Sequence, residues 1–158
     1  MTGLFTAFNF RVSITLGDQS TDPLCDAAFS ECGGLEVATA VKTIREGGNN
    51  NRPIHLTGPV SYGTLSLKRG MTSSFDLWDW VDRVSRDGER HLRATCTVEL
   101  LAADRSGPVA TFVLTGCLPA KLKAPALNAE SGLVAIEELE IAYEMLTLQK
   151  PTGGEGGA

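Results

Sequence analysis

Arg45-Glu46-Gly47-Gly48-Asn49-Asn50-Asn51 stands between two strand-like segments, Leu35 to Ile44 and Thr64 to Arg69. Glycine tolerates positive φ without steric cost, and asparagine tolerates it better than most residues. The run therefore predicts a sharp chain reversal. From there to Gly63 the chain carries Pro53, Gly58 and Pro59, and it is expected to be an irregular loop. A structureless loop of that length inside a compact domain is uncommon, and is usually functional or disordered. What this loop touches is the first question the sequence poses.

The flanking chain is rich in strands. Phe8, Phe10, Val12, Ile14 and Leu16 alternate with Asn9, Arg11, Ser13 and Thr15, the period of a strand with one buried face. Gly17 to Pro23 breaks that pattern. Leu35, Val37, Thr39 and Val41 continue as a β-branched strand into the Gly-Asn reversal. Leu65 and Leu67 alternate with Ser66 and Lys68, and Gly70 ends the run. Leu92, Ala94, Cys96, Val98 and Leu100 alternate with Arg93, Thr95, Thr97 and Glu99. With the turn Asp104-Arg105-Ser106-Gly107-Pro108 and the segment Val109 to Cys117 they predict a hairpin. Pro119 and Pro125 bracket a looser edge segment.

One helix is expected, Ser73 to Ser85. Ser73 is placed to cap it, with Asp76 three residues on. Leu77, Trp78, Trp80, Val81 and Val84 share an apolar arc and form its core face. Asp79/Arg83 and Asp82/Arg86 are i,i+4 pairs, and Gly88 is placed to terminate the helix. The segment Leu133 to Leu148 fits two patterns. Ile136, Leu139, Tyr143 and Leu146 suit a helix, whereas Leu139, Ile141, Tyr143 and Met145 suit a strand. Many strands, one helix and no βαβ alternation predict a barrel or sandwich with a helix over one end.

At 158 residues the chain suits one domain, here residues 1–150, followed by a Gly-rich tail over 151–158 expected to be disordered. The net charge of −5 and the absence of a Lys/Arg cluster argue against a nucleic-acid surface. Met1 to Phe10 lacks the pattern of a signal peptide, and no segment approaches the roughly 18 apolar residues of a membrane span. Folding in the cytosol follows, so Cys25, Cys32, Cys96 and Cys117 are expected as free thiols. Neither His55 nor His91 is spaced to a second ligand, so no metal or cofactor is expected. There is no nucleophile elbow, H-E-x-x-H or Walker motif, and no enzyme is predicted. Asp76, Asp79 and Asp82 complement the helix dipole rather than hold a cation. Glu137, Glu138, Glu140 and Glu144 form an acidic stripe. In a strand, Glu138, Glu140 and Glu144 share a face.

The chain resembles the tail-tube proteins of contractile phages and the inner-tube proteins of phage-derived contractile injection systems. The resemblance is carried in order by Phe8-Asn9-Phe10-Arg11-Val12, Phe29-Ser30-Glu31-Cys32-Gly33-Gly34-Leu35-Glu36-Val37 and Arg45-Glu46-Gly47-Gly48-Asn49-Asn50. Leu65-Ser66-Leu67-Lys68-Arg69-Gly70, Leu77-Trp78-Asp79-Trp80, Leu127-Asn128-Ala129 and Val134-Ala135-Ile136-Glu137-Glu138-Leu139 follow. It implies a mainly β fold: two antiparallel sheets closed into a small barrel, one flanking α-helix, a long extended loop, and a last element that is a strand. It also implies hexameric rings stacked into a hollow tube, with a contractile sheath, baseplate or hub, and spike as partners, and possible cargo in the lumen.

On that resemblance Arg45, Glu46, Gly47, Gly48, Asn49, Asn50, Asn51, Arg52 and Tyr62 belong to an inter-subunit assembly loop. Glu138, Glu140 and Glu144 are candidates for the lumen wall. The particle, a phage tail or tail-like machine, would be assembled in the bacterial cytoplasm. A secretion tube protein acting as soluble hexameric rings is the alternative of the same class. A monomeric ligand-binding β-barrel using the tryptophans and His55 is the alternative of another class.

Overall fold

A computed structural model describes residues 9–17, 24–45, 47–48, 52–86, 88–104, 107–130 and 132–150. Expectations for Phe8, Glu46, Asn49, Asn50, Asn51 and the 151–158 tail lie outside these residues.

The N-terminal alternation forms β1, Phe10–Leu16, with Val12, Ile14 and Leu16 buried. Short β2 (Cys25–Ala27) and β3 (Glu31–Gly33) follow, then β4 (Val37–Ile44), β5 (Ile54–Tyr62) and β6 (Thr64–Gly70). Helix α1 spans Asp76–Ser85. The chain closes with β7 (Ala94–Leu101), β8 (Pro108–Lys123), β9 (Ile136–Ala142) and β10 (Met145–Gln149). Strand order is β2-β1-β7-β8-β9-β6-β3, all pairs antiparallel, with β10 alongside β8. Strands β4 and β5 form a separate two-stranded ribbon.

The 16-residue β8 serves two layers. Its first half lies between β7 and β10, and its second half pairs with β9. The bend falls at Gly116, where φ is +65° and a Cβ would lie 2.5 Å from the Glu144 carboxylate. A side chain there is opposed by the left-handed backbone, while the Glu144 carboxylate could swing aside. Folded over this bend, the sheet encloses Ile14, Leu65, Leu67, Cys96, Leu114, Leu139 and Ile141, and α1 covers them with Leu77 and Trp80.

The expected closed barrel is not present. Among the described residues the strand path is open, since β2 and β3 end it and each has one partner, β1 and β6 respectively. Instead of a ladder between β3 and the β1/β7 layer there is a cleft lined by Phe10, Cys32, Leu35, Val98 and Leu100. Two three-residue strands are too short to zip the edge closed.

The long extended loop is also corrected. Residues 54–62 are β5, paired with β4 from Ile44↔Ile54 to Val37↔Tyr62. Gly58 and Pro59 do not prevent pairing, because the register shifts between Thr39 and Val41 and makes room for them. Proline is tolerated in strands at such bulges. Pro119 is accommodated similarly: the β8–β9 register shifts between Pro119 and Lys121, and β8 continues to Lys123.

Helix α1 begins at Asp76, three residues later than expected, and Ser73 does not cap it. The Asp76 carboxylate accepts from the Leu77 N–H and is bound by Arg69, which draws the helix start toward the sheet. Of the expected core face, Leu77 and Trp80 are fully buried, whereas Trp78 and Val81 are half-buried. Arg86 pairs with Asp82 at 3.5 Å, while Arg83 reaches Glu89. The last segment is strand throughout β9 and β10, with Leu139, Ile141 and Tyr143 buried at period two.

Candidate assembly surface

The β4–β5 ribbon is an arm that leaves the body almost without packing on it. All eight residues of β4 are exposed, as are seven of the nine in β5. Cross-strand pairing gives the arm two faces. Val37, Thr39, Val41, His55, Thr57 and Val60 share one, and Lys42, Ile44, Ile54 and Leu56 lie on the other. Val41 is 63% exposed and Val60 50%. His55 pairs its ring with the Thr43 hydroxyl at 3.2 Å and faces solvent. Gly47 and Gly48 are exposed at the turn, with Arg45 and Arg52 exposed on either side of it.

The root of the arm is firmly held. The Tyr143 hydroxyl donates to the Gly34 carbonyl at 2.8 Å and accepts the Glu36 N–H at 3.2 Å. Its ring lies 5.8 Å from that of Tyr62, which is half-buried at the end of β5. Gly34 adopts φ +89°, and a Cβ there would fall 1.9 Å from the Thr64 carbonyl oxygen. Only glycine fits where the entering and leaving chains cross so closely. Of the expected assembly residues, then, Tyr62 anchors the arm, and Arg45, Gly47, Gly48 and Arg52 lie at its far end.

The acidic stripe is divided by the fold. Glu137 is 1% exposed: Arg69 binds one carboxylate oxygen, and the Trp78 indole N–H donates to the other at 3.1 Å. Arg69 also binds Asp76 and lies 5.6 Å from the Phe29 ring centroid, so one buried guanidinium ties β6, β9, α1 and the chain before β3. A buried charge demands such partners; strand period two places Glu137 with Leu139 and Ile141, opposite Glu138 and Glu140, but does not reveal the cation that pairs with it. Glu138 and Glu140 stay on the outer face of β9. There Glu138 lies 4.0 Å from Lys68, itself 3.4 Å from Glu31, and Lys123 and Lys121 stand opposite Glu138 and Glu140 in register. Glu144 is separate, at the β8 bend, 3.9 Å from Arg93.

Among the described residues no three His, Cys, Asp or Glu side chains are grouped as a metal site would need. Cys32, Cys96 and Cys117 are free thiols, and burial pushes the Cys32 thiol up to about 11.

A second exposed apolar surface is one that strand alternation does not reveal. The β8–β9 connection leaves Leu127 92%, Leu133 87% and Val134 75% exposed around a concavity of about 480 Å³. Its signal was available: Glu130 is the only charged residue between Ala124 and Ile136.

Residues 6–147 match the family model of the T4-like virus tail tube protein gp19. The chain belongs to this tail tube family. It is 30% identical to a chain in the cryo-EM structure of the anti-feeding prophage (AFP) baseplate, 6-fold symmetrised. That match covers 95% of this chain and 98% of the other, with a TM-score of 0.81. A chain of the extended PVC sheath–tube complex, an extracellular contractile injection system, shares the fold at 19% identity. The TM-score there is 0.76, over 93% of this chain and 92% of that one. A type six secretion system protein shares the fold more distantly, at 13% identity and TM-score 0.53, over 91% and 84% of the two chains. No curated protein sequence matches. The family is one of structural tube proteins, not of enzymes.

Proposed function

We propose that the chain is a structural subunit of the inner tube of a contractile tail-like injection machine. Six-fold rings of it stack around a hollow lumen, inside a sheath and upon a baseplate that carries a spike. The observation that carries this reading is the arm. A two-stranded ribbon is marginal in water on its own. One that exposes Val37, Val41, Ile44, Ile54, Leu56 and Val60 needs a partner to cover it. On the tube reading that partner is a neighbouring copy, and contacts that do not close on themselves propagate into a filament.

Residues 1–150 act as one tube-forming unit, the tail after Pro151 lies outside it, and assembly takes place in the bacterial cytoplasm. The outer face of β9, with Glu138 and Glu140, lines the lumen, and Glu144 sits at its margin. The machine is a phage tail or a tail-like particle, and its cargo passes along this wall. No described helix is long and apolar enough to cross a membrane. A monomeric ligand-binding barrel finds little support, because Trp80 is fully buried, Trp78 is bound to Glu137 and His55 stands on the exposed arm.

Negative-stain electron microscopy of the purified chain tests the reading. Six-fold rings or tubes are expected. A monodisperse monomer at all concentrations would exclude it. Rings that never elongate would favour the soluble-ring mode instead.

A further inference from the structure

Strands β6 and β9 run side by side from Thr64↔Ala142 to Gly70↔Ile136. The arm leaves at the Thr64/Ala142 end, where Gly63 bonds Glu36 and Tyr143 holds Gly34. The exposed β8–β9 connection lies at the Gly70/Ile136 end, where the Met71 N–H donates to the Ala135 carbonyl at 2.9 Å. Seven paired residues at strand rise put these features about 20 Å apart, at opposite ends of one sheet. The body therefore carries an apolar projection at one end and an apolar recess at the other.

The two ends match in chemistry as well as in position. Between Val37 and Tyr62 the arm carries Lys42, Arg45 and Arg52 against the single acid Glu46, a net positive segment in a chain of net charge −5. The recess presents Leu127, Leu133, Val134 and Ile136, with Lys123 and Glu138 on its wall. Apolar area faces apolar area, and a net positive arm meets a body that is net negative as a whole.

We propose that the recess formed by the β8–β9 connection is the acceptor for the arm of a second copy of this chain in the adjacent ring. This assignment rests on the tube reading and adds to it the surface on which rings stack. Because donor and acceptor differ and lie at opposite ends, the contact is head-to-tail and gives the stack a direction. An arm meeting an arm would instead close into a two-fold pair and stop growth.

The experiment uses the full-length chain with a photo-crosslinking side chain at position 133, and separately at 127, mixed with isotope-labelled chain and assembled before irradiation. Mass spectrometry of the tubes is expected to find inter-copy products joining either position to residues 37–62. Products joining both positions to any other segment overturn the acceptor assignment while leaving the tube reading intact. Failure of the unmodified chain to form rings or tubes overturns the tube reading, and the assignment with it. As a second arm, Leu133→Asp is expected to keep single rings but reduce the number of long tubes by at least about tenfold, since it places a charge in an apolar contact. Long tubes in parental number would also overturn the assignment.

Discussion

Strands β1 and β4 are written in the same alphabet and end in opposite environments. Both are rich in β-branched residues, with Val12, Ser13, Ile14 and Thr15 in β1 and Val37, Thr39, Val41, Thr43 and Ile44 in β4. Val12 and Ile14 of β1 are completely buried, whereas Val37 and Val41 of β4 are 59% and 63% exposed. The body meets its hydrophobic needs within one chain, through a sheet folded over Gly116 and a helix that lays Trp80 onto the core. The arm cannot do so. Stability and assembly are thus separable in this molecule, and each has its own residues.

The largest expected effect breaks the arm alone. Val41→Asp with Val60→Asp should abolish long tubes, since each valine contributes about 1.5–3 kcal/mol when fully covered and the loss recurs at every arm of a ring. Thermal or urea unfolding of the same variant should change by no more than about 0.5 kcal/mol, as at other surface sites. Normal tubes by electron microscopy would remove the arm from the stacking contact. A large loss of folding stability would show that it belongs to the body after all.

The body is broken by its buried ion network. Arg69→Met leaves Glu137 and Asp76 without their cation and should cost about 3–5 kcal/mol of folding stability in urea titration. Glu137→Gln keeps the shape and a hydrogen-bond acceptor for Trp78, and should cost less. Equal losses in the two would mean that geometry, rather than the unpaired charge, sets the effect.

The same contrast explains how much the sequence disclosed. Strands with one buried face were legible, because their period reports the core directly: β1, β6 and β7 stand where the alternation places them. β5 was hidden, since Gly58 and Pro59 break local strand propensity and only the bulge opposite Ala40 accommodates them. Closure of the sheet was not legible either, because it depends on whether β2 and β3 meet, which is a matter of tertiary distance. Strand period sets Glu137 on the face opposite Glu138 and Glu140, but names no partner for it. Its burial depends on Arg69, 68 residues earlier, and no periodicity records such a pair. The exposure of the recess around Leu133 is not legible in the sequence, because an apolar connection between strands has the composition of core whether or not anything covers it.

The smallest expected effect concerns the charged face of β9. Glu138 and Glu140 do not form an acidic wall by themselves, because Lys68, Lys121 and Lys123 stand beside or opposite them. Glu138→Gln with Glu140→Gln should therefore change folding stability by no more than about 0.5 kcal/mol, the scale of half-exposed ion pairs. It should leave this patch with unbalanced lysines, without impairing ring formation. If the face lines the lumen, a cryo-EM map of the assembled tube will place residues 138 and 140 on the inner wall. Their appearance on the outer wall, facing the sheath, would reverse the assignment. In that case the exchanged charges should alter sheath binding rather than the channel. The map also separates this face from the acceptor recess at its end, since Leu133 should lie between rings whichever wall carries the glutamates.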